Sequence, residues 1–197
     1  DNFSTTKLGP QGELHLAHTE EGARARNTMH NRVVADAFIP AGGRPGTIDE
    51  TNWRQFLQED GSPSAKIIIE GANVFITADA RQKMFDHCKL PIVKDSSANK
   101  CGVICSSYEI MSCMLLSEEE FMANKDEIVS GVVDRLRTLA ELEAKLLFSE
   151  FATRSGTLPD FSKGISDAMN GLTDAIANAL TENKRHEDRE DADIVNL

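Results

Sequence analysis

Three short apolar runs punctuate the first half of the chain: Ala37-Phe38-Ile39, Ile67-Ile68-Ile69 and Pro91-Ile92-Val93. Each ends in turn chemistry, reading Pro40-Ala41-Gly42-Gly43, Glu70-Gly71-Ala72-Asn73 and Lys94-Asp95-Ser96-Ser97. Continuous runs rich in β-branched residues suit strands buried on both faces of a parallel sheet. Between them the pattern turns helical. One helix is predicted from Asp49 to Leu57, with Asp49 or Thr51 as its cap. A second runs from Thr77 to Cys88, where Thr77 precedes Asp79 in the first turn. Strands alternating with helices predict βαβ units. The expected fold is α/β, a Rossmann-like half-sheet of about three parallel strands with helices, followed by a helical C-terminal region.

After residue 98 the period becomes helical throughout. Ile104, Tyr108, Met111 and Leu115 form one stripe, expected to pack inward. Phe121, Ile128, Val132, Leu136, Leu139, Leu142, Leu146 and Phe151 form a second, and Ile165, Met169, Leu172, Ile176 and Leu180 a third. Helix packing accounts for such stripes. From Asn183 to Asp193 nearly every residue is charged or polar, which predicts a frayed tail. Residues 1–32 show no long periodicity. Gly9-Pro10-Gln11-Gly12 signals a turn, and the alternation at Leu14 and Leu16 suggests a hairpin arm. The division is therefore 1–32 mixed, 33–116 sheet and helices, 117–182 helical and 183–197 polar tail.

Composition narrows the partners. The 197 residues carry a formal net charge of −11, so duplex nucleic acid and anionic membrane are disfavoured by repulsion. No apolar stretch is long enough to span a bilayer. Four cysteines, Cys88, Cys101, Cys105 and Cys113, match neither a metal knuckle nor a disulfide framework. They read as reduced thiols of an intracellular protein, with no metal site. The start at Asp1, without Met or a signal pattern, suggests a fragment or processed product. Asn2-Phe3-Ser4 fits a glycosylation triplet that arises often by chance.

Candidate chemistry sits at the strand ends. In an open parallel sheet, ligands lie outside the carboxyl ends of the strands. Small residues there let a ligand approach the backbone, and Asn offers both an acceptor and a donor to a carboxamide. On the helix after the third run, Asn99, Val103 and Ser106 are spaced four and three apart, which places them on one face. A polar group at the helix mouth, an apolar contact and a hydroxyl suit a small amphipathic ligand such as an amino acid. No G-x-G-x-x-G and no P-loop pattern is present, nor any recognisable Ser/His/Asp or Cys/His set.

Two segments carry a resemblance. Lys66-Ile67-Ile68-Ile69-Glu70-Gly71-Ala72-Asn73 resembles the amino-acid dehydrogenase motif in which E-G-A-N ends a strand of the cofactor sheet. Asn99-Lys100-Cys101-Gly102-Val103-Ile104-Cys105-Ser106-Ser107-Tyr108-Glu109 resembles the N-A-G-G-V-x-x-S-Y-F-E segment of glutamate dehydrogenases, departing at Lys100, Cys101, Ser107 and Tyr108. Lys94-Asp95-Ser96-Ser97-Ala98-Asn99-Lys100 and Phe38-Ile39-Pro40-Ala41-Gly42-Gly43-Arg44-Pro45 are similar to the large, NAD-specific branch of that family.

The resemblance implies reversible NAD-dependent oxidative deamination of L-glutamate to 2-oxoglutarate and ammonia. It implies cofactor contacts at Ala41, Gly71, Asn73 and Asn99. It implies substrate contacts at Asn99, Val103 and Ser106, the last holding the distal carboxylate. The family's catalytic Lys and Asp and its phosphate-binding glycines fall in upstream segments, so no catalytic residue is expected in this chain. NAD rather than NADP rests on the branch resemblance. A homo-oligomer in the cytoplasm or mitochondrial matrix is expected. Two alternatives stay open: a leucine- or phenylalanine-type dehydrogenase, against which Ser106 argues, and a non-catalytic helical interaction module.

Overall fold

The computed structural model describes residues 6–8, 14–16, 19–31, 33–42 and 44–195. Strands β1 (Thr6–Leu8) and β2 (Leu14–Leu16) pair antiparallel, Thr6 opposite Leu16, so the expected hairpin arm is present. The Gly9 to Gly12 turn and the Asn2 triplet lie outside the described residues. Helix α1 (Glu20–Asn27) lies against this hairpin and was not foreseen. Its signal was local: Thr19 caps the Gly22 N–H at 3.1 Å, and Glu20 and Glu21 follow in the first turn.

The three apolar runs become β3 (Ala35–Phe38), β4 (Ala65–Ile69) and β5 (Ile92–Val93), all parallel, in the order β3-β4-β5. Phe38 pairs with Ile68, and Ile68 with Ile92. Side chains alternate across a strand, so the two faces of β4 feed two cores. Ile68 and Ile92 join Ile48, Trp53, Phe56, Phe75, Ile76, Met84 and Leu90 on one side. Ile67, Ile69 and Val93 meet Leu147 and Leu158 on the other. Among the described residues only β4 is paired on both edges. β3 was expected to be buried on both faces, but Ala35, Asp36 and Ala37 are exposed because, among the described residues, no strand lies beyond it.

Helix α2 (Ala78–Cys88) links β4 to β5 and starts as foreseen, with the Thr77 hydroxyl accepting the Ala80 N–H at 3.3 Å and Asp79 in the first turn. The helix expected from Asp49 to Leu57 is instead a single 3-10 turn, Trp53–Phe56. Asp49 still caps, accepting the N–H groups of Thr51 at 2.8 Å and Asn52 at 3.1 Å. The Asn52 side chain folds back, accepting the Asp49 N–H and donating to the Thr47 carbonyl. These side-chain bonds compete with a regular helix, and the short turn suffices to bury Trp53 and Phe56.

The remainder is helical: α3 (Asp95–Ala98), α4 (Cys101–Leu115), α5 (Glu118–Ala123), α6 (Lys125–Thr153) and α7 (Leu158–Val195). Ser117 and Glu120 form a reciprocal capping box at the start of α5. All three stripes need correction. On α4, Ile104 and Tyr108 turn inward, but Met111 and Leu115 are exposed and Ser112 takes the inner position. On α6, Phe121 (from α5), Ile128, Val132, Leu136, Leu139 and Phe151 are half-buried as expected, whereas Leu142 and Leu146 face outward. Glu143 and Leu147 occupy the inner face instead. Of the α7 stripe only Ile165 packs against the sheet, joining Leu158 and Phe161 of the same helix; Met169, Leu172, Ile176 and Leu180 are exposed. The backbone of the expected frayed tail is helical through Val195.

Among the described residues no helix is long and apolar enough to cross a membrane, and no group of three or more His, Cys, Asp or Glu side chains is placed to hold a metal. The four cysteines are unbonded.

Candidate functional site

The segments after β3, β4 and β5 meet at one edge of the sheet. The Pro40 carbonyl accepts the Ala72 N–H at 2.7 Å, drawing the first two loops together. A Cβ on residue 71 would lie 3.2 Å from the Pro40 oxygen and 3.6 Å from Ala41 Cα. A side chain at 71 would press on the Ala41 loop, which glycine lets approach this closely. Asn99 Nδ2 donates to Asn73 Oδ1 at 2.5 Å and approaches the Gly71 carbonyl at 3.4 Å. Ala41, Gly71, Asn73 and Asn99, distant in sequence, form one cluster outside the carboxyl ends of the strands. Asn73 is exposed, and its side chain carries amide donors besides the oxygen that Asn99 engages.

Two buried carboxylates, Glu70 and Asp95, hold the cluster through partners that lie outside the motif segments. Glu70, the last residue before the Gly71 turn, is fully buried. Its Oε1 accepts the Ile76 N–H at 2.9 Å, and its Oε2 accepts from Arg81 Nη1 of α2 at 2.8 Å. The same Arg81 nitrogen donates to the Ile76 carbonyl at 2.6 Å. Both ends of the 70–76 loop are therefore tied to one charge pair. Burial pushes the Glu70 carboxyl above the ordinary range, opposed by the Arg81 charge and the Ile76 N–H.

Asp95, also buried, accepts the Val74 N–H at 2.8 Å and the Ser96 N–H at 2.8 Å. The first of these bonds holds Val74 at φ 52°, a conformation β-branched residues rarely adopt. From the other side, Ser162 of α7 lies 3.1 Å and 2.6 Å from the hydroxyl oxygens of Ser96 and Ser97. Glu70 falls within the E-G-A-N segment and Asp95 within the 94–100 segment, but their roles as anchors depend on partners 11 and 21 positions away.

Asn99 closes α3 and breaks the helix before α4 begins. Val103, at 73% exposure, and Ser106 lie on the open side of α4, next in line after Asn99. The six foreseen residues thus fall in two adjoining groups, one at the strand ends and one on the solvent face of α4. The structure does not bring Val103 and Ser106 into contact with the strand-end cluster. A separate aromatic nest lies beneath β3, where His30 stacks on Phe38 at 5.3 Å and meets Phe75 at 5.9 Å. Burial there lowers the affinity of His30 for a proton. Chemically, the strand-end arrangement offers amide donors and acceptors, with an apolar side chain and a hydroxyl on the exposed face of α4.

The chain is similar in sequence to several known proteins. A family model described as glutamate/leucine/phenylalanine/valine dehydrogenase matches residues 9–155. A Dictyostelium discoideum protein named glutamate dehydrogenase 2 is 33% identical over 198 residues, covering 88% of this chain and 19% of that protein. The NAD-specific glutamate dehydrogenase of Saccharomyces cerevisiae is 32% identical over 204 residues, covering 89% of this chain and 19% of the relative. That of Neurospora crassa is 36% identical over 149 residues, covering 71% and 14%. The chain spans about a fifth or less of the length of the curated relatives it matches. The family match takes in both parallel crossovers, the strand-end cluster and α4, and on that extent the chain belongs to the glutamate/leucine/phenylalanine/valine dehydrogenase family.

Proposed function

We propose that this chain supplies one wall of the nucleotide groove and of the amino-acid pocket in an NAD-dependent glutamate dehydrogenase. The convergence of Ala41, Gly71, Asn73 and Asn99 at the carboxyl ends of parallel strands carries the reading. Three relatives named as NAD-specific support the choice of cofactor. The donor set fits: Asn73 and Asn99 present amides that match a carboxamide and ribose hydroxyls, and Gly71 and Ala41 leave the groove floor open. When bound, the nicotinamide supplies the hydride acceptor. The residues of this chain bind and orient. Asn99 stands where cofactor and substrate adjoin, Val103 contacts the substrate's methylene groups, and the Ser106 hydroxyl donates to its distal carboxylate. L-glutamate and 2-oxoglutarate are the substrates in this reading, and a homo-oligomer is the expected assembly. The hydroxyl at Ser106 favours glutamate over leucine, phenylalanine or valine, whose side chains leave it unpaired.

Ser106 is exposed and holds up nothing in the fold, so its replacement tests the role cleanly. In the full-length enzyme, Ser106→Ala is expected to raise the glutamate KM about 10- to 100-fold, one charge-assisted hydrogen bond being worth roughly 1.5–3 kcal/mol. The Kd for NAD stays where it was. A glutamate KM equal to that of the parent enzyme removes Ser106 from the pocket.

The isolated chain is expected to turn over no glutamate. Hydride transfer needs substrate and cofactor held in near-attack geometry with an acid–base group at hand, and the family's Lys and Asp match no residue here. Self-association is also expected, since Val33, Val34 and Ile39 flank an open strand edge and α7 bears an uncovered stripe. Absorbance at the NADH band on the purified chain, with light scattering alongside, measures both. Glutamate-dependent NADH production free of host enzyme would place catalytic groups within these residues and overturn this assignment.

A further inference from the structure

Helix α4 carries Val103 and Ser106 yet buries none of its own residues. Two polar ties fix its first turn. In front, Asn99 donates to Asn73. Behind, Lys100 reaches back 2.5 Å to Glu143 Oε2 on α6, both side chains largely enclosed, at 25% and 15% exposure. The second Glu143 oxygen, Oε1, is buried and has no hydrogen-bond partner among the described residues. A half-satisfied buried carboxylate is costly, and an apolar residue would serve packing better. Glu143 also sits on the inner face of α6, between Leu139 and Leu147, where a purely structural stripe calls for an aliphatic side chain. Lys100 is one of the positions at which the chain departs from the alanine of the motif it resembles.

We propose that Lys100 and Glu143 are a positioning pair that sets the height and rotation of the first turn of α4, and through it the placement of Asn99, Val103 and Ser106 in the substrate pocket. The inference rests on the function proposed above. The pair touches neither substrate nor cofactor. It pins the helix from behind, because the open face cannot be packed without closing the pocket. Lysine suits this role, since one end-on contact from a long stem reaches across the helix–helix gap while its methylenes cover apolar surface.

The test uses the full-length enzyme with three variants and two readouts. Lys100→Met is expected to lower kcat/KM for glutamate about tenfold or more, since a displacement near 1 Å costs up to roughly a hundredfold. Backbone amide exchange at residues 102–106 rises at the same time. Lys100→Arg, which keeps an end-on donor, stays within about twofold of the parent. The double variant Lys100→Met/Glu143→Leu recovers the melting temperature, because apolar packing replaces the pair, but not kcat/KM. A double variant that recovers both shows a role in stability alone and overturns the proposal. So does Lys100→Met with unchanged kinetics. Should the parent enzyme neither bind NAD nor oxidise glutamate, the functional reading falls separately. The amide exchange still decides the tie: unchanged protection in Lys100→Met overturns it.

Discussion

Replacing Arg81 by alanine is expected to cost about 3–5 kcal/mol of unfolding free energy, the range for removing one partner from a buried ion pair. Among the described residues the guanidinium is the only cation bonded to Glu70, and the carboxylate has no access to solvent. Its loss strips a donor from Glu70 and from the Ile76 carbonyl together. The penalty depends on pH with a definite sign. Burial already raises the Glu70 carboxyl above its ordinary value of 4.5, and the Arg81 charge is the largest opposing influence. Without it the folded-state value climbs further. A raised carboxyl favours the folded state below its unfolded value, and that contribution is lost as pH rises through the folded value. The deficit of Arg81→Ala relative to the parent is therefore smallest near pH 4 and grows toward pH 8. Urea unfolding at both pH values measures the difference, in which acid effects common to both proteins cancel. A deficit below about 1 kcal/mol at pH 8, typical of a surface pair, would mean that Glu70 does not depend on Arg81.

The next largest effect is expected at Leu147. Truncation to alanine should cost about 2–5 kcal/mol, a transfer loss plus an unfilled cavity. Leu147 is 2% exposed and packs with Val93 and Leu158, where α6 and the start of α7 cover the back of the sheet. Leu146, its neighbour, is about half exposed, and alanine there should cost under about 1 kcal/mol. The two substitutions remove the same atoms, so their ratio reports the rotation of α6. Equal costs at both positions would mean that the helix packs through a face different from the one described.

That pair also shows why part of the fold was legible and part was not. The β-branched runs at Ile67 and Ile92 stood out because a parallel strand is apolar on both faces, and the Thr77 cap because capping is local. The phase of α6 was not, since Leu146, Leu147 and Phe148 are consecutive apolar residues that leave the inner face undetermined, and a charged residue, Glu143, holds an inner position. The α7 stripe was read as packing, but period alone does not say what covers a face. At the site, proximity of Asn73 and Asn99 followed from the rule that strand ends share an edge. Glu70–Arg81 and Lys100–Glu143 did not, because each joins residues 11 or 43 apart through tertiary geometry, and charge in a sequence reads first as surface.

Helix α7 gives that edge a mechanical reach. Past Ile165 its backbone continues for 30 residues to Val195, a shaft about 45 Å long at 1.5 Å per residue. Its foot is bonded through Ser162 to Ser96 and Ser97, beside Asn99. A tilt of about 5° at the foot would therefore sweep the far end through roughly 4 Å. The serine triplet ties the foot of α7 to the loop that bears Asn99, so any tilt of the helix there is multiplied along its length.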